Sequence, residues 1–95
     1  MKEKMAISKS GHDKGSLYVI LKEETANLYL ADGRLKTVEK PKKKNKKHVQ
    51  LIQRLPEEIT QLMPQDGEFR NEDIKRIIKL YQKRQEVKNV KGRCD

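Results

Sequence analysis

Aromatic residues, cysteine and apolar side chains in general are scarce in this chain. Its 95 residues include no Trp, one Phe, three Tyr and one Cys, and only 34% of them are hydrophobic. So small an apolar content supports one compact domain with appendages, and it leaves no room for a deep active-site cavity. The single thiol, Cys94, cannot form an intrachain disulfide.

The chain also lacks the apolar stretches that membrane insertion and secretion require. No run approaches the length needed to span a bilayer, and residues 1–5 do not contain the apolar core of a signal peptide. We therefore expect a cytoplasmic protein that does not insert into a membrane.

Side chains arranged for catalysis or metal binding are absent as well. His12 and His48 have no neighbours at ligand spacing, and Cys94 has no positioned base beside it. Asp13 and Asp32 occupy turn sequences and do not suggest an acid–base pair. The sequence predicts that the protein is not an enzyme and has no cofactor, metal site or small-molecule substrate.

Positive charge is what the chain has in excess. Lys and Arg number 23 against 14 Asp and Glu, which gives a formal net charge of +9 at pH 7. Because so large an excess repels itself in the folded monomer, it indicates an anionic partner. Nucleic acid is the commonest such partner for a basic domain, and an anionic membrane surface is second.

The first half of the chain has the pattern of short antiparallel strands. Strands are predicted at residues 7–10, 17–21, 27–31 and 34–38, with a closing strand at residues 49–52. A turn with glycine at both ends (residues 11–15) and the dipeptide Asp32-Gly33 connect them. Leu28 and Leu30 share one face at period two, whereas the continuous apolar run at 17–21 leaves its inward face undecided. Such brief connections predict a small antiparallel barrel.

Residues 40–48 form a basic segment without a single apolar side chain. Adjacent like charges resist compaction, so we expect an exposed basic loop. A solvated charge run and a nuclear import signal are the alternatives. We favour contact with RNA, because ammonium groups neutralise phosphates without reading the base sequence.

The second half is predicted to be helical in two pieces. Pro56 followed by two acids suits the first turn of a short helix, and Asn71 is the predicted N-cap of a longer one. The longer helix has an apolar stripe that packs on the barrel or on the short helix, with a partner protein or a dimer as the alternative. Its members are Ile74, Ile77, Ile78 and Tyr81. The predicted units are a barrel (1–55) with its basic loop (40–48), a helical extension (56–87) and a flexible tail (88–95).

Residues 8–15, Ser-Lys-Ser-Gly-His-Asp-Lys-Gly, resemble a KOW motif, the glycine-containing strand-turn-strand of ribosomal proteins and transcription elongation factors. With residues 30–33 and 41–48, the chain is similar to small bacterial KOW-domain RNA-binding proteins. These are related to KOW-containing large-subunit ribosomal proteins of archaea and eukaryotes. His12 departs from this family, which often has arginine there, and the helix from Asn71 matches no family motif. The resemblance implies a mainly β fold with C-terminal α structure, namely an SH3-like barrel, with RNA as ligand and a role in translation.

We therefore expect an RNA-binding protein that binds ribosomal RNA or associates with the ribosome, with ribosomal proteins as further partners. The residues predicted to contact RNA are Lys9, His12, Lys14, Gly15, Arg34, Lys36, Lys42, Lys43, Lys44, Lys46, Lys47 and His48. The alternative function is a protein-interaction module of the transcription-elongation type, which binds polymerase or another partner. Binding of double-stranded DNA ranks third, and it is disfavoured because no element resembles a major-groove recognition helix.

Glycine and tyrosine each have two interpretations. Gly11 and Gly15 either let backbone amides approach a phosphate or only supply the positive φ of the turn. Tyr18 is expected in the core, whereas Tyr29 is either a core residue or a surface on which unpaired bases stack.

Overall fold

The computed structural model describes residues 4–64 and 68–93, with side chains as far as residue 84. This part of the chain contains five strands and two α-helices. The elements, in chain order, are β1 (Met5–Ser8), β2 (Leu17–Glu23), β3 (Asn27–Ala31), β4 (Lys42–Asn45), a 3₁₀ turn (Lys46–His48), β5 (Val49–Ile52), α1 (Glu57–Leu62) and α2 (Asn71–Arg93). The strands form one antiparallel sheet in the order β4-β3-β2-β1-β5. The predicted fold class, a small barrel-like β structure followed by a short and a longer helix, is confirmed.

Strand β2 is buried on both faces from Tyr18 to Ile20, which explains its continuous apolar run. On the inner face Tyr18 packs with Leu28 and Leu30, as the alternation in β3 predicted. Val19 points to the opposite face and packs against the helices. Strands covered on both sides lose the polar alternation that identifies an inward face. The pairing of β2 with β3 shifts register between Ile20 and Lys22, an irregularity that bends a strand and helps the sheet to curl.

Both helices cover the part of the outer face that contains Met5, Val19, Ala31 and Ile52. Ile74 and Ile77 of α2 are fully buried in one cluster with Ile59 of α1 and Val19 of β2. The apolar stripe of α2 therefore packs on the barrel and on the short helix at once. Burial of each isoleucine contributes about 1.5–3 kcal/mol, enough to fix the helix on the sheet. The helix runs to Arg93, beyond the predicted boundary at residue 87, and Cys94 lies outside the described residues.

The prediction of an exposed loop at residues 40–48 is wrong. Residues 42–45 form the edge strand β4, which pairs with β3 in the register Leu30↔Lys42 to Asn27↔Asn45, and residues 46–48 form the 3₁₀ turn. Like charges do not prevent this strand, because alternate lysines point to opposite sides and meet acidic partners there.

The predicted strand at residues 34–38 is absent, and this segment docks on α2 instead. Asp32 Oδ1 accepts hydrogen bonds from the amides of Arg34 and Lys36, and the amide of Val38 donates to Asn71 Oδ1. These amides are therefore not free to form a strand ladder. The prediction that Asn71 is the N-cap of the longer helix is wrong. Asn71 is the first residue of α2, and its Oδ1 accepts the hydrogen bond from Val38.

The start of α2 is stabilised by an acid in its first turn rather than by Asn71. Asp73 Oδ2 accepts a hydrogen bond from the amide of Arg70, 3.3 Å away, and the amide of Ile74 bonds to the Arg70 carbonyl. Glu72 and Asp73 lie in the first turn of α2, where negative charge complements the helix dipole. In the described part of the chain, neither helix combines the length and apolarity that crossing a bilayer requires.

Candidate nucleic-acid interface

Asp13 is the centre of a hydrogen-bonded cluster that ties the β1–β2 turn to strand β4. Its carboxylate accepts hydrogen bonds from Ser8 Oγ at 2.9 Å, and from Tyr18 Oη, Lys42 Nζ and Lys44 Nζ at 2.8 Å each. Only 13% of the Asp13 side chain is exposed. The sequence-based interpretation of Asp13 as an ordinary turn residue is therefore wrong. The sequence signal for this role was the spacing of Lys42 and Lys44. Lysines two residues apart share one face of a strand, and that face requires an acidic partner.

The cluster strongly favours the ionised form of Asp13. Burial raises the pKa of this carboxyl, but hydrogen bonds from Lys42, Lys44, Tyr18 and Ser8 outweigh burial and hold the pKa well below its ordinary value. Burial, reinforced by the neighbouring Asp13 charge, raises the pKa of the Tyr18 hydroxyl above its usual range. Tyr18 is 3% exposed, as expected for a core residue. Asp13 therefore remains a charged anchor at every physiological pH.

The glycine turn has the positive φ angles that its sequence predicted. Gly11 has φ +88° and Gly15 has φ +91°, and the Gly15 amide donates to the Ser8 carbonyl at 2.9 Å. No atom lies within 4 Å of the position that a Cβ of Gly15 would occupy. The backbone of Gly15 is therefore open to close approach by a ligand, so both interpretations of this glycine are compatible with its geometry.

The 3₁₀ turn brings a third segment to the same place. The amide of Lys9 donates to the His48 carbonyl at 2.8 Å, and Ser10 Oγ lies 3.1 Å from His48 Nδ1. Lys44 Nζ also donates to the Ser10 carbonyl at 2.9 Å. We call the resulting surface the basic end of the barrel. It comprises the predicted site residues Lys9, His12, Lys14, Gly15, Lys42, Lys44, Lys47 and His48, together with Asp13.

Lys43 and Lys46 were predicted to join this site, but they point elsewhere. Lys43 Nζ lies 3.8 Å from Glu24 Oε1, and Lys46 Nζ lies 2.6 Å from Glu23 Oε2, near the β2–β3 hairpin. The hydrogen bond from Lys46 lowers the pKa of the exposed Glu23 carboxyl. Strand alternation turns Lys43 away from Lys42 and Lys44, whereas Lys46 lies in the 3₁₀ turn that follows β4. The lysine run is thus divided between two surfaces.

Tyr29 lies in a cross-strand row between two lysines. Its neighbours in the sheet are Lys22 on β2 and Lys43 on β4, and their Nζ atoms lie 5.7 and 5.9 Å from the centre of the Tyr29 ring. The Tyr29 hydroxyl lies 3.4 Å from Glu24 Oε2. The side chain is partly buried and points to the outer face, away from the inner-face cluster of Leu28 and Leu30. Tyr29 is therefore a surface aromatic whose ring already has cationic neighbours.

Two predicted site residues, Arg34 and Lys36, lie apart from the basic end, on the segment between β3 and β4. Arg34 is exposed and lines a groove beside α2. Lys36 is partly buried, and its amide donates a hydrogen bond to Asp32 Oδ1. Leu35 between them is 87% exposed. No periodicity in the sequence indicates this placement, because it depends on contact with a helix distant in the chain.

Within residues 4–64 and 68–93, no group of three or more His, Cys, Asp or Glu side chains is placed to hold a metal ion. No protein-family model and no curated protein matches the chain. The likeness to KOW proteins is therefore carried by the motif residues alone.

Proposed function

We propose that this protein binds RNA in the cytoplasm through the basic end of the barrel, with ribosomal RNA or a ribosome-associated RNA as the target. The observation that carries this proposal is the convergence of the glycine turn and the lysine strand on one surface. Asp13 is the single acidic residue within residues 9–15 and 42–48, and it is already surrounded by donors. The surface therefore keeps a net positive charge.

The lysines of this surface divide into contacting and positioning groups. Lys44 is only 10% exposed, and its ammonium group donates to Asp13 and to Ser10, so it holds the turn in place. Lys42 is 29% exposed and uses one of its three donors on Asp13, which leaves donors for a phosphate. Lys9 and Lys14 are exposed on the turn itself. Binding releases counterions from RNA and reads its shape, not its bases.

The ribosomal part of the proposal is supported by the KOW resemblance of residues 8–15, 30–33 and 41–48. Ribosomal proteins are then expected as neighbours of the bound protein. The alternative, a protein-interaction module that uses α2, has less support. The apolar stripe of that helix is already buried against the barrel, with Ile74 and Ile77 fully covered.

The test measures the affinity for a short single-stranded RNA by fluorescence anisotropy across a salt series. With about four to six phosphates neutralised, log affinity falls against log salt with a slope of roughly −3 to −4. The double variant Lys9→Gln/Lys14→Gln binds several-fold more weakly, and its slope is shallower by about 1.4, because each lost contact removes about 0.7.

The matched control is Lys4→Gln/Lys40→Gln, which removes the same charge from exposed positions outside the basic end. It keeps the parent slope. A folded RNA competes better than duplex DNA of equal length. A nearly flat salt dependence of the parent, or equal loss in both double variants, contradicts the proposal.

A further inference from the structure

A groove of about 610 Å³ lies along one side of α2, next to the barrel. One wall comes from the start of β2 and the segment after β3, and the other is a single side of α2. Leu17 and Ile78 supply apolar lining, whereas Arg34, Lys75 and Lys79 supply positive charge. Lys83 extends this charge along the helix.

The charge of the groove is almost entirely of one sign. Arg34, Lys75, Lys79 and Lys83 are all exposed, and no ion pair within the described residues involves any of them. The acidic residue in the lining, Asp32, already binds the amides of its own turn through Oδ1. The four cations are therefore exposed to solvent without a salt bridge in the described part of the chain, and Asp32 is the one acidic residue in the groove lining.

We infer that this groove is a second phosphate-binding surface, which holds the continuation of an RNA strand bound at the basic end. The inference rests on the function proposed above and extends it to a defined path. Ser16, which lines the groove, directly follows Gly15 of the glycine turn, and its amide donates to the Asp13 carbonyl at 2.9 Å. The two positive surfaces thus meet at Ser16, directly before β2.

The arrangement of the cations suits an extended polyanion. Lys75, Lys79 and Lys83 recur at every fourth residue on one side of α2, which spreads their Cα atoms over about 12 Å of helix axis. They form a line and do not converge on one point, as a site for an isolated phosphate group would require. Successive phosphates of one strand can each meet a different ammonium group, while the apolar floor accommodates a base or sugar.

The test compares Lys75→Gln/Lys79→Gln with the control Lys4→Gln/Lys40→Gln in the same anisotropy titrations. Each variant removes two exposed lysines, and glutamine retains much of the aliphatic stem. The groove variant binds the single-stranded RNA at least threefold more weakly, and its salt slope is shallower by about 1.4. An RNA too short to reach beyond the basic end does not distinguish it from the parent.

A second measurement does not depend on any variant. Amine acetylation of the parent, followed by mass spectrometry, reports which lysines RNA protects. Lys75, Lys79 and Lys83 are protected by the longer RNA, whereas Lys4 and Lys40 are not. Polyglutamate of matched charge competes poorly against RNA for the groove.

Each result decides a different point. A parent that does not bind RNA refutes the proposed function and the groove together. If Lys9→Gln/Lys14→Gln weakens binding but the groove variant behaves like the control, only the groove inference is overturned. Competition by polyglutamate that equals competition by RNA overturns the assignment of RNA as the occupant.

Discussion

Lys44 Nζ lies 2.8 Å from Asp13 Oδ1, and this contact joins the edge strand of the sheet to the β1–β2 turn across 31 positions of sequence. The two side chains are 10% and 13% exposed, so neither charge is well solvated without the other. A buried charge that loses its partner is strongly destabilising, whereas exposed ion pairs contribute little.

A double-mutant cycle on Asp13 and Lys44 is expected to show strong coupling. Asp13→Asn lowers the free energy of unfolding by about 1–3 kcal/mol, because two lysines and a tyrosine lose their charged acceptor. Once Asp13 is neutral, Lys44→Gln costs less than it does in the parent. Urea denaturation of the parent, both single variants and the double variant gives the coupling energy, which should exceed about 0.5 kcal/mol.

The control for this cycle is the pair Glu23 and Lys46. Their side chains are 37% and 35% exposed although their atoms are 2.6 Å apart. Solvent screens this pair, so its coupling is expected to be smaller than that of Asp13 with Lys44. Equal coupling in the two cycles would show that the Asp13 cluster is no more than a surface ion pair.

Stability is expected to depend on pH through Asp13. Its pKa is lower in the folded protein than in the unfolded chain, so the unfolded chain takes up the proton first as the pH falls. The stabilisation is fully present above the unfolded pKa of about 4, and it is lost progressively as the pH falls from there towards the folded pKa. The difference in unfolding free energy between the parent and Asp13→Asn should therefore shrink in acid. A difference that stays constant with pH would contradict this assignment.

Two glycines with similar backbone angles are expected to respond differently to the same substitution. A Cβ at Gly33, where φ is +80°, would lie 2.6 Å from the Asn71 carbonyl oxygen and 2.9 Å from Lys75 Cγ. At Gly15, where φ is +91°, the same Cβ would meet nothing within 4 Å. Gly15→Ala costs only backbone strain, about 1–2 kcal/mol, whereas Gly33→Ala also pushes α2 away from the barrel.

Thermal unfolding of the two alanine variants measures this difference. Gly33→Ala should have the lower melting temperature, and it should also alter the groove between Arg34 and Lys75. If both variants melt together, the contact of the Asp32-Gly33 turn with α2 does not limit stability.

Sequence periodicity predicted the elements whose burial is set by their own pattern. Leu28 and Leu30 on one face of β3, and Ile74 and Ile77 on one side of α2, follow directly from strand and helix spacing. The glycines of the first turn were predictable for the same reason, since their φ angles are a local requirement.

Strand β4 and the role of Asp13 could not be predicted in this way. A run of lysines has no apolar periodicity, and it becomes a strand because β3 offers it a partner edge and Asp13 neutralises its inner face. The prediction of a strand at residues 34–38 was wrong for a related reason. Its sequence allows a strand, but the amide of Val38 donates a hydrogen bond to Asn71 Oδ1, which holds the segment against α2.

The position of β4 at the end of the sheet order has a consequence for how the molecule behaves in a crowded solution. An edge strand presents unpaired backbone groups, which invite a strand of another molecule to extend the sheet. Here the edge consists of Lys42, Lys43, Lys44 and Asn45, so a second copy aligned edge to edge would place ammonium groups against ammonium groups. The charge to which we attribute RNA binding thereby also opposes edge-to-edge association of two copies of the chain.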